Sequence, residues 1–162
     1  PDIVVREMSE VPWDFHSQYH ARGKIYHYRI HNNPVRAALA RGICWFVHRP
    51  LDLEAMGKAA RHLQGTHDFN AFCAAQSDVE DRVRTVTDAG FDREEGGMIV
   101  FRIEADGFQR HMVRNIVGTL VDIGKGRIPE KDIIRILEAR DRKLAGPAAP
   151  ARGLCLMEVK YE

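Results

Sequence analysis

No stretch of this 162-residue chain approaches the roughly 20 consecutive apolar residues that a membrane-spanning helix needs. The longest apolar runs, Ile43–Val47 and Met98–Phe101, fall far short, and a helical transmembrane protein is excluded. Cysteine is scarce. Cys44, Cys73 and Cys155 are odd in number, far apart and flanked by apolar residues. That argues against a disulfide framework or a zinc site and leads to the expectation of reduced, buried thiols in a cytoplasmic protein. A charge excess is also missing: 24 Lys+Arg face 23 Asp+Glu, a formal +1, so no global basic field selects nucleic acid. There is no internal repeat and no long linker, and no signal peptide is expected at the opening residues. The chain opens at Pro1 without an initiator methionine and runs straight into a strand-like pattern, which raises the expectation of a fragment.

What is present is a globular composition, 44% hydrophobic and 29% charged. A chain of this size can bury roughly 68–70% of its unfolded surface, enough for one domain over residues 1–162 without metal or disulfide. Among the cations Arg far outnumbers Lys, and Arg suits planar, bidentate phosphate contacts. Strands are expected at Asp2–Met8, Lys24–His31, Gly42–His48 and Leu154–Tyr161. A hairpin is expected from Arg82–Arg93 and Met98–Asp106 around Glu94-Glu95-Gly96-Gly97. Helices are expected from Asp52 to Gly65, from Phe108 to Ile123 and from Pro129 to about Arg140. Hairpin-paired strands with inserted helices make an α+β fold, a mainly antiparallel or mixed sheet with helices on one face.

Several constellations invite chemistry. The histidine pairs His16/His20 and His27/His31 are each four apart, but on a strand that spacing spans about 13 Å, too far for one metal ion. Gly118…Gly124-Lys125 imitates a phosphate loop, yet its spacing is one residue too long and Gly118 falls inside a helix. The 108–123 helix is apolar over most of its circumference. Arg110 and Arg114 sit side by side at the edge of that arc. A guanidinium so close to the core needs a carboxylate, a phosphate or carbonyls; a structural contact, a snorkelling side chain and a functional one all satisfy that need. Tyr26 and Tyr28 share a strand face with Lys24, which fits either a core aromatic pair or a ring offered to a nucleobase.

In order along the chain stand Asp14-Phe15-His16, Lys24-Ile25-Tyr26-His27-Tyr28-Arg29-Ile30, Pro50-Leu51-Asp52 and Gly65-Thr66-His67-Asp68-Phe69-Asn70-Ala71-Phe72. Val83-Arg84-Thr85-Val86, His111-Met112-Val113-Arg114-Asn115-Ile116-Val117-Gly118 and Gly153-Leu154 follow. This series resembles the tRNA pseudouridine synthase A family over essentially the whole chain. The resemblance implies isomerisation of uridine to pseudouridine in the tRNA anticodon stem-loop, without cofactor or metal, by a homodimer. The family's nucleophile is an Asp in an Arg-Thr-Asp-Ala-Gly motif. By position, Tyr26 would be the active-site tyrosine, Arg114 the partner of the catalytic Asp, and Leu154 an apolar wall of the uracil pocket. Phe15, His16, Gln18, Tyr19 and Gln76 would fall on tRNA-contacting segments. Arg22, Lys24, Arg82, Arg110, His111 and Asn115 would supply further RNA contacts.

The nucleophile's motif is missing. Arg84-Thr85-Val86-Thr87-Asp88-Ala89-Gly90 imitates it with two extra residues between Thr85 and Asp88, and Asp88 is read as a decoy. The expectation is therefore a C-terminal domain that lacks the N-terminal, Asp-bearing half and is inactive alone. A non-catalytic RNA-binding or dimerisation module of the same fold is the alternative. Gln18, Cys73 and Glu80 stand where the family is usually basic, which should weaken phosphate contacts.

Overall fold

The computed structural model describes residues 3–74 and 81–161. Six strands form one mixed sheet: β1 (Gly23–Asn32), β2 (Trp45–Val47), β3 (Gly65–Asp68), β4 (Val83–Arg93), β5 (Met98–Ala105) and β6 (Leu154–Lys160). Three helices accompany it: α1 (Leu53–Arg61), α2 (Met112–Gly124) and α3 (Asp132–Ala139). The strand order is β2-β1-β5-β4-β3, with β6 also on β1. Among the described residues only the β1–β2 pair is parallel. The long β1 divides one edge between two partners: β6 takes Gly23–Tyr28, and β2 takes Ile30–Asn32. The α+β architecture read from the sequence is the one found. Among the described residues no helix is long and apolar enough to cross a membrane.

Register decides which side chains meet. Tyr26, Ile103 and Ala89 are direct cross-strand partners on one face, and so are Tyr28, Phe101 and Phe91. That face carries the core, where Tyr28, Phe101 and Ile103 are fully buried and α1 packs over β4 and against α2. Because side chains alternate, Ile25, Glu104 and Asp88 fall on the opposite face. There Arg102 bridges Asp88 at 3.2 Å and Glu104 at 3.5 Å, and Lys160 reaches Glu104 at 2.6 Å.

Helix α1 begins where the sequence indicated, with the Asp52 side chain accepting from the Ala55 N–H at 2.9 Å. Four expectations need correction. Residues 3–8 form no strand; Ile3, Val4, Val5 and Met8 bury nothing against the sheet and are each at least 74% exposed. The expected strand from Gly42 shrinks to Trp45–Val47, because the Ala40 carbonyl accepts from the Ile43 N–H and the Cys44 thiol and winds a 3₁₀ turn. Strand β3 was not foreseen; it is four residues long with no apolar alternation, and its pairing with β4 reveals it. Finally, α2 starts at Met112 rather than Phe108, because His111 takes a left-handed conformation at φ 64°.

Candidate functional site

The late start of α2 shapes the candidate site. Residues Phe108–His111 form a loop that lays Phe108 edge-on against the Tyr26 ring, with centroids 5.1 Å apart. Gln109 is buried and donates to the Asp81 carbonyl at 3.0 Å, while the Arg110 carbonyl accepts from the Ala74 N–H. With Gln109 pinned inward, Arg110 and His111 turn outward. The left-handed backbone at His111 is strain of about 1–2 kcal/mol for a non-glycine residue. Together these residues rim a cavity of about 410 Å³, whose wall also includes Tyr26, Met112, Arg114, Ala151 and Leu154. Tyr26, Arg114 and Leu154, on a strand, a helix and a second strand, thus meet at one place.

The chemistry of this cavity is one-sided. Arg110, Arg114 and His111 line it, and no carboxylate among the described residues does. No side chain caps α2, so the uncompensated amides at its N-terminus add partial positive charge. Loss of hydration, reinforced by Arg114 and Arg110, holds His111 below its usual pKa, so the imidazole favours its neutral form. Partial burial pushes the Tyr26 hydroxyl up, and it stays protonated near neutrality. That hydroxyl has no hydrogen-bonding partner among the described residues. A polarised, anion-seeking wall faces a flat ring and an apolar side chain.

Arg114 is held by a strap formed by residues 144–153. Its Nε–H donates to the Ala149 carbonyl at 2.7 Å, and the Ala149 N–H donates back to the Arg114 carbonyl at 2.9 Å. The terminal amino groups of the guanidinium have no partner among the described residues. Next along the strap, the Tyr28 hydroxyl donates to the Pro150 carbonyl at 2.6 Å, and the Gly146 N–H donates to Thr119 Oγ1 at 2.9 Å. This close crossing explains Gly118: a Cβ there would lie 1.7 Å from the Pro147 carbonyl oxygen. Gly118 is a packing glycine.

Some expected contacts are relocated. Asn115 was expected to meet RNA, but it is 2% exposed. Its side-chain amide donates to the Phe72 carbonyl at 2.7 Å, and its oxygen accepts from Arg142 at 3.0 Å. Its place on the buried helix face, between Met112 and Thr119, is the signal that could have shown this. Asn115→Leu is expected to strand both partners and cost about 2–3 kcal/mol, read as a lowered urea midpoint with unchanged slope. Arg110 is not on α2 beside Arg114 but on the preceding loop. Tyr28 is fully buried and cannot stack on a base, whereas the Tyr26 ring is only half-buried. Cys73 is 1% exposed, its thiol donating to the Phe69 carbonyl at 3.1 Å.

Other positions remain available to a ligand. His16, Gln18, Tyr19 and Arg22 are exposed, and Phe15 and Lys24 are half-buried. Phe15 packs against Tyr161, and His16 against Tyr19. Arg82 is half-buried and donates to Asn70. Gln76 and Glu80 lie outside the described residues. His16 and His20 do share one helical turn, and His20 Nδ1 accepts from the His16 N–H at 2.9 Å. Asp88 sits on the sheet face opposite Tyr26, paired to Arg102, and cannot reach the cavity. The two extra residues before it are part of a bulge between Val86 and Asp88. Phe108 was missed by the sequence reading, which absorbed it into the apolar arc of α2.

Comparison with known proteins identifies the family. A profile described as tRNA pseudouridine synthase matches residues 59–162. The chain belongs to the tRNA pseudouridine synthase family. It is 49% identical over 160 residues to the tRNA pseudouridine synthase A of Moorella thermoacetica and 47% identical over 160 residues to that of Acetivibrio thermocellus. A relative from Myxococcus xanthus, of the same name, is 44% identical over 161 residues. Each alignment takes in 99% of this chain but only 65%, 65% and 61% of the respective relative. The chain thus spans a little under two thirds of the length of these family members. Within the family match fall α2, Arg114 and Leu154, whereas Tyr26 lies before it and is covered by the relatives.

Proposed function

We propose that this chain supplies one wall of a site that isomerises uridine to pseudouridine in the tRNA anticodon stem-loop. The observation that carries this reading is the convergence of Tyr26, Arg114 and Leu154 on one cavity with cations at its rim and, among the described residues, no carboxylate in its lining. Uridine must leave its stack to enter, which costs a few kcal/mol. The Tyr26 ring, braced by Phe108, offers a flat surface for the extruded base, and Leu154 closes the apolar side. Arg114 holds its free amino groups toward the space where a nucleophilic carboxylate would stand. That carboxylate belongs to a segment outside this sequence, the N-terminal half of a longer polypeptide. The Asp carboxylate attacks C1′ as the N1–C1′ bond breaks; C5 of the turned uracil then bonds to C1′ and releases the carboxylate, and C5 loses its proton while N1 gains one. The same reading assigns the protein to the cytoplasm as a homodimer.

Release of tritium from tRNA transcripts labelled at uridine C5 tests this. The 162-residue chain alone is expected to release none, and a polypeptide of the relatives' full length containing it is expected to be active. In that polypeptide Asp88→Ala should change the rate by no more than about twofold, as for a surface ion pair. Release by the isolated chain that survives Asp88→Ala would contradict the proposal.

A further inference from the structure

A second cavity, of about 460 Å³, opens beside the first and is lined by Arg36, Arg41, Cys44, Phe46 and Arg152. A third, of about 430 Å³, adjoins it, shares Arg36 and Phe46, and adds Arg49, Lys125 and Arg127. No carboxylate among the described residues lines either one. In a chain whose charges nearly cancel overall, six cations gather here. Lys125 and Arg127 approach Asp122 behind them, at 3.9 and 3.1 Å. Arg36, Arg41 and Arg152 make no ion pair with a carboxylate among the described residues.

Two of these arginines are held in place rather than trailing in solvent. The turn carrying Arg36 is fastened by the Val35 N–H to Asn33 Oδ1, at 2.9 Å, and by His31 Nε2 to the Val35 carbonyl, at 3.0 Å. The Arg36 guanidinium then lies over the Phe46 ring, 5.0 Å from its centroid. The Arg152 Nε–H donates to the Cys44 carbonyl at 3.2 Å, so that end of the guanidinium is fixed. The segment Ala151–Leu154 joins the two regions. Ala151 and Leu154 face the Tyr26 cavity, Arg152 faces the basic one, and Gly153 between them is packed against the Tyr28 ring. Unpaired, positioned guanidinium groups suit phosphodiester oxygens.

Building on the RNA-modifying reading above, we propose that Arg36, Arg41 and Arg152 form a second RNA site, one that grips the phosphodiester backbone flanking the nucleotide held at Tyr26. Fluorescence anisotropy with a labelled anticodon-arm RNA, in the full-length polypeptide, measures affinity against salt concentration. Arg36→Gln/Arg41→Gln should weaken binding roughly tenfold and flatten the slope of log K against log salt by about 1.5. The control Arg93→Gln/Arg135→Gln, with the same charge change on exposed residues elsewhere, should leave the slope unchanged. Thermal unfolding of all variants confirms that the fold is retained. An unchanged slope in the first variant, with the parent binding normally, overturns the second site and leaves the cavity reading intact. The second site is equally overturned if that variant loses only inorganic phosphate binding, or changes only the oligomeric mass. No RNA binding by the parent at low salt overturns both.

Discussion

Replacing Arg114 by alanine in a polypeptide of the relatives' full length should lower pseudouridine formation by roughly 10³-fold, about 4 kcal/mol. The size follows from what the side chain does. Its Nε–H is committed to the Ala149 carbonyl, which fixes the direction of the remaining amino groups. Those groups line a cavity in which every other ionisable contributor is basic or neutral. A carboxylate arriving there would lose its hydration, and without Arg114 it would be left as an unpaired charge, a loss of about 3–5 kcal/mol. Arg114→Lys keeps the charge but cannot both donate to Ala149 and present a planar pair of donors. It should recover only part of the loss. Since the proposed function sets Arg114 beside the reacting groups, the loss should appear mainly in kcat, with the tRNA KM little changed. A fall confined to KM, or to thermal stability, would reduce Arg114 to a structural tie between α2 and the strap.

The second large effect is on stability. Gly118→Ala would place a methyl group 1.7 Å from the Pro147 carbonyl oxygen and 2.9 Å from its carbon, both backbone atoms. No rotamer change relieves that overlap; the strap must move. Overpacking of this kind costs about 3 kcal/mol or more, which for a domain of this size lowers Tm by roughly 10 °C. The displacement would also disturb the bonds between Arg114 and Ala149 one helical turn away, so activity should fall further than stability alone explains. Gly57→Ala is the contrasting case: its nearest neighbour is the far end of Arg61 at 4.0 Å, and it should stabilise α1 slightly. Differential scanning calorimetry of the two variants distinguishes steric conflict from a general intolerance of glycine replacement.

Much of the fold was legible because period and punctuation agreed. The alternation in Lys24–His31, the paired glycines at Gly96-Gly97 and the Asp52 cap each led to the element observed. Failures came where tertiary contacts overrode local pattern. The apolar run Ile3–Val5 stays exposed outside the sheet, and β3 has an edge to join but no alternation. The cavity was legible only in part. Arg114 advertised itself as a cation at the border of an apolar arc, and the family resemblance placed Tyr26 and Leu154. Asn115 and Gly118 share its motif but serve packing and the strap, whose irregular backbone leaves no periodic signal. The left-handed turn at His111, which moves Arg110 off the helix, is likewise invisible to a helical wheel.

The most direct test of an acid-deficient half-site is the crystal structure of the full-length polypeptide, measured at Arg114. An aspartate oxygen, from outside the 162 residues, is expected within about 2.7–2.9 Å of a terminal guanidinium nitrogen at the mouth of the Tyr26 cavity. A structure in which Arg114 contacts only Ala149, with no carboxylate facing Tyr26, would contradict it.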